Sequence, residues 1–106
     1  MKVSKRRKIR WKTMRPFIEI EVGQSANPMY IQALRFCLSI MDGESPELKI
    51  QDVRAYLIEI EERINHFIYD TSDILKTNAL MECTDIIREC AEDLHIDYRL
   101  EERKET

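Results

Sequence analysis

Phe17-Ile18-Glu19-Ile20-Glu21-Val22 is the stretch whose reading decides the fold. From Ile18 onward it alternates strictly, with Ile18, Ile20 and Val22 on one face and Glu19 and Glu21 on the other. That is the period of a half-buried strand, and six residues make too little helix to compete. A single strand leaves its backbone groups unpaired, so a partner is expected. Three candidates exist: Ile9-Arg10-Trp11-Lys12, Leu48-Lys49-Ile50, or the same strand of a second chain. In the last case Ile18, Ile20 and Val22 belong to a protein interface.

Before the strand stands a basic arm, residues 1–16, closed by Pro16. Lys2, Lys5, Arg6, Arg7, Lys8, Arg10, Lys12 and Arg15 follow one another with no acidic residue between them. The chain totals −3 and the arm +8, which leaves −11 on residues 17–106. A short cationic arm on an acidic body reaches an anionic partner while the body is repelled from it. Ile9 and Trp11 add apolar or stacking contact to the charge. The expected nucleic-acid-binding residues are Lys5, Arg6, Arg7, Lys8, Arg10, Trp11, Lys12 and Arg15. Nucleic acid is favoured over a membrane surface because no apolar helical face accompanies the charge. Such contacts neutralise phosphates without reading bases.

After the strand, Gly23 to Ala26 reads as a loop and Asn27-Pro28 as a helix start, Asn27 capping and Pro28 in the first turn. This first helix should run to about Asp42 and stop at Gly43. Gln32, Arg35, Ser39 and Asp42 crowd one narrow sector, and apolar residues cover most of the rest. The helix should therefore be central, covered on two sides. A second helix carries the stripe Ile50, Val53, Leu57, Ile60, Ile64, Phe67. Asp70-Thr71-Ser72-Asp73 breaks it, and a third helix to about His95 carries Leu80, Cys83, Ile86, Ile87, Cys90 and Leu94. Residues 99–106 read as a polar tail. The expected fold is mainly α: a three-helix domain over residues 17–98, led by one short strand and the arm. Ile58, Tyr69, Ile74 and Met81 fall off the apolar stripes of the second and third helices and mark a surface for a protein partner or self-association.

Chemistry is sparse. The strand followed by two helices over Phe17 to Asn65 resembles the ribbon-helix-helix DNA-binding family, whose dimers pair their strands into a ribbon that enters the major groove. That resemblance implies a dimeric DNA-binding protein, although its outward ribbon residues would here be the carboxylates Glu19 and Glu21. Cys83 and Cys90, seven apart on an apolar stripe, read as packed thiols and are badly spaced for zinc. Glu92-Asp93-Leu94-His95 has the Glu-x-x-His spacing of di-iron bundles, but those use two such motifs. Two histidines on outer faces, no nucleophile turn and isolated glycines at 23 and 43 give no catalytic constellation.

No metal, cofactor or enzymatic activity is expected. An odd cysteine count and a basic start with no apolar stretch after it point to a reducing compartment: the cytoplasm, or a nucleus, since Lys5-Arg6-Arg7-Lys8 also passes as an import signal. The expected function is a small non-enzymatic regulatory or accessory module, the arm on nucleic acid or another polyanion and the helices on protein. The competing expectation is an adaptor or inhibitor acting through its acidic body.

Overall fold

The computed structural model describes residues 3–67 and 73–99. It contains four helices: α1 (Lys5–Gln24), α2 (Pro28–Met41), α3 (Ile50–Phe67) and α4 (Ile74–Asp93). No strand occurs among the described residues. From Lys5 onward the expected arm, its boundary at Pro16 and the strand at residues 17–22 are replaced by the single helix α1, so the described residues form four helices and not three.

The alternation misled for a simple reason. Positions i and i+4 share a face in a helix as they do in a strand. Ile18 and Val22 therefore both turn inward from α1, while Ile20, the residue that would have decided between the two periods, is 54% exposed. The inward line of α1 is Arg7, Trp11, Met14, Ile18 and Glu21, at steps of four and three. It escapes a search for apolar periodicity because both of its ends are charged. Ser4 caps the helix, its hydroxyl accepting from the Arg7 amide at 3.2 Å. Pro16 sits in the interior, where its missing N–H and its ring cost about 3 kcal/mol. Burying Trp11 and Ile18 returns about 1.5–3 kcal/mol each, so tertiary contact outweighs the local penalty.

α2 begins as expected. The Asn27 side chain accepts from the Met29 and Tyr30 amides at 3.1 and 3.2 Å, and Pro28 opens the first turn. It ends before Gly43, whose φ of 86° an L side chain adopts only with strain. Leu48 is buried and pins the connection to α3. α3 and α4 follow their apolar stripes, and Ile60, Leu80, Ile86 and Ile87 are fully buried. Leu94, assigned to the stripe of the last helix, is instead 56% exposed beyond the end of α4. α2 and α4 each pack against all three other helices, so the central position expected for the Pro28–Met41 helix is shared. A strand ribbon of the ribbon-helix-helix kind cannot form from α1, and that reading falls with the strand.

α1 runs antiparallel to α4. Arg7, near its start, reaches Glu82 and Glu89 in the later part of α4. Phe17, further on, meets the Phe67 ring that also lies beneath Lys76 at the beginning of α4. Among the described residues no helix is long and apolar enough to cross a membrane.

Candidate polyanion-binding face

Folding divides the eight basic residues expected to act together. Arg7 is buried: its Nε donates to Glu82 at 2.6 Å and its Nη1 to Glu89. Arg10 adds a third bond, to Glu82 at 3.2 Å. Burial alone would push the Glu82 carboxyl up, but the hydrogen bonds from Arg7 and Arg10 outweigh it and hold the group below the usual carboxylate range. Arg15 lies between Glu19, at 2.8 Å, and both carboxylate oxygens of Asp42. The Asp42 carboxyl is lowered in turn by its hydrogen bond from Arg15. Three of the expected anion-binding arginines thus fasten α1 to its neighbours. Trp11, expected to stack on a base, is a core residue at 4% exposure.

Lys5, Arg6, Lys8 and Lys12 remain. All four are exposed, and none makes an ion pair among the described residues. On a helix Lys5, Lys8 and Lys12 fall within an arc of roughly 60°, one stripe along the flank of α1, with Arg6 around the other side. Glu19 and Asp42, on the same flank, are both bonded to Arg15, which offsets one of their two charges. Lys2 lies outside the described residues.

The opposite end of α1 borders a cleft of about 500 Å³ shared with the start of α2 and the later turns of α3. Glu21, buried on the inward line of α1, forms its floor. The Tyr30 hydroxyl donates to Glu21 Oε1 at 2.8 Å and the Arg63 Nε donates to the same oxygen at 2.9 Å. Burial and then the bond to Glu21 push the Tyr30 phenol well up. Asn27 donates to Glu59 at 2.6 Å, and Glu62 and His66 stand exposed at the rim. With Glu21, Glu59 and Glu62 against Arg63, the cleft carries net negative charge and repels a polyanion. It lies about 20 Å from Lys8 along the helix, more than two Debye lengths at physiological salt.

The remaining expected residues scatter. Ile18 is fully buried and Val22 partly so, which removes both from any strand-mediated interface. Ile20, Ile58, Ile74 and Met81 are each half exposed or more. Tyr69 lies outside the described residues. Cys37, Cys83 and Cys90 are all buried, and Cys37 Sγ donates to the Cys83 carbonyl. No group of three His, Cys, Asp or Glu side chains suited to a metal occurs among the described residues. The Arg7–Glu82 and Glu21–Tyr30–Arg63 clusters were missed. Their signal was the four-and-three spacing from Arg7 to Glu21, legible only if charged residues are admitted to a buried line. No protein-family model, curated protein or solved structure matches this chain.

Proposed function

We propose that the chain is a non-enzymatic nucleic-acid-binding module that grips the phosphate backbone with the flank of α1. One observation carries this reading: Lys5, Lys8 and Lys12 stand exposed in one stripe on a helix, without an ion pair among the described residues, in a protein whose remainder is strongly acidic. Placing three ammonium groups so close costs self-repulsion, and an approaching phosphate chain relieves it. The acidic remainder orients the encounter by repelling the same backbone from every other side. The helix makes the contact more ordered than a free arm would, and smaller.

Three to four phosphate contacts give a slope of log affinity against log salt of roughly −2 to −4, at about 0.7–0.9 per contact. The test measures binding to duplex DNA and single-stranded RNA at several salt concentrations. Replacing Lys5, Lys8 and Lys12 together by alanine should flatten the slope and weaken all sequences alike. Tryptophan fluorescence should stay unquenched on binding, because Trp11 is enclosed in the core. Absence of binding to either nucleic acid at low salt overturns the proposal. The acid-lined cleft of Glu21, Glu59 and Glu62 would then favour the second reading, an adaptor that takes a basic protein partner through its acidic surface.

A further inference from the structure

α1 carries a second line of residues at the same spacing as its inward one. Arg6, Ile9, Thr13, Pro16 and Ile20 follow at steps of three and four, and all are exposed. α4 carries a matching outward line: Ile74, Asn78, Met81, Asp85, Arg88 and Glu92, all exposed except Arg88, which is half-buried and paired with Glu61. Ile9, Ile20, Ile74 and Met81 are 61%, 54%, 62% and 50% exposed, and they make up four of the seven large hydrophobic residues so exposed among the described ones. Steps of three and four are the spacing by which one helix seats against another.

The two lines are graded in opposite senses. On α1 the cation is at the beginning and the apolar pair Pro16 and Ile20 at the end. On α4 the apolar residues Ile74 and Met81 come first and the carboxylates Asp85 and Glu92 last. An antiparallel approach therefore sets the apolar end of α1 on the apolar start of α4 and Arg6 among the carboxylates, with Ile9 beside Asp85. Aligning Ile20 with the partner's Ile74 brings Thr13 opposite the partner's Met81. The same register sets Arg6 opposite the partner's Arg88, which Glu61 already pairs, with the partner's Asp85 and the partner's Glu92 one turn to either side.

We infer that the outer face of the α1–α4 pair is a self-association surface, occupied by the same face of a second copy about a two-fold axis along the helices. Because α1 and α4 lie side by side and antiparallel in one protomer, that axis sets each α1 against the partner's α4 twice over and closes the assembly as a dimer. Neither Asp85 nor Glu92 makes an ion pair among the described residues, and neither does Arg6, so all three are available to the partner. Lys8 and Lys12 lie about 120° and 80° around α1 from the middle of that line, which keeps them at its margin or beyond it, while Lys5 borders it beside Ile9.

Sedimentation velocity on the full chain over a wide concentration range tests this. A reversible dimer is expected. Met81→Glu and Ile20→Glu should each raise its dissociation constant at least about tenfold, while far-UV circular dichroism stays unchanged because both side chains are exposed. Arg6→Glu alone should weaken the dimer, as should Asp85→Arg with Glu92→Arg, and all three together should restore it. A monomer at every concentration overturns the inference. So does a dimer indifferent to these changes, or one broken by Ile58→Glu on α3. The lysine stripe separates this test from the polyanion proposal: Lys8→Ala with Lys12→Ala should leave the dimer intact, and a monomeric protein that still binds nucleic acid sinks only the dimer.

Discussion

Arg7 and Glu82 are both nine-tenths buried, and their pairing holds the start of α1 to α4. Truncating Arg7 to alanine leaves the Glu82 carboxylate with only the partly exposed Arg10, and should cost about 3 kcal/mol, the lower end of the range for breaking a buried pair. The pH dependence has a definite sign. Glu82 titrates lower in the folded chain than in the unfolded one, so its contribution is complete above the unfolded glutamate value of about 4.3 and is lost as pH falls through the lower folded value. The gap in urea stability between wild type and Glu82→Gln should therefore narrow as the pH is lowered below about 4. Trp11 presents an opposite case, since its buried indole N–H has no hydrogen-bond partner among the described residues. Trp11→Ala should cost about 3–5 kcal/mol through lost packing. Trp11→Phe should cost clearly less, because it keeps most of the ring packing while removing the same orphan donor, whose burial costs about 1–3 kcal/mol. Equal losses in the two variants by chemical denaturation would contradict that accounting.

At the level of the element, α1 is a helix against its local sequence. Pro16 deprives it of one backbone bond and lies on the exposed side, where the ring adds nothing to the core. Pro16→Ala should raise the unfolding free energy by about 1–3 kcal/mol, less than the full proline penalty because alanine also widens the unfolded ensemble. A fall in melting temperature would mean that α1 needs a bend at Pro16 to bring both Arg7 and Glu21 to their partners. The cap at Ser4 works in the other direction, holding down a first turn that has no acidic residue to offset its dipole.

For the molecule as a whole, residues 5–16 are part of the fold. They contribute Arg7, Trp11 and the partly buried Met14 to the surface that covers α2 and α4. A chain beginning at Phe17 should lose cooperative thermal unfolding and expose its cysteines to thiol reagents, whereas a detachable arm would leave the melting transition unchanged. Burial raises the Cys37 thiol far above its ordinary value, so intact protein should react slowly and the truncated chain fast.

The sequence by itself determined α2, α3 and α4, because their buried positions are apolar and recur at helical spacing, and because Asn27, Pro28 and Gly43 punctuate them with side chains that act on their own backbone. It determined the imbalance of charge as well, since that is a matter of counting. Only the tertiary structure decided what residues 5–24 are. Three apolar residues in alternation fit a strand or a helix equally until something fixes which of them is covered. The line from Arg7 to Glu21 could be recognised as a buried face only once Glu82, Tyr30 and Arg63, up to 75 residues away, were in place to neutralise its ends. The same pairing decided which cations remain exposed: a sequence displays charge, but whether a charge is spent inside the fold or offered to a partner depends on what lies across from it in space.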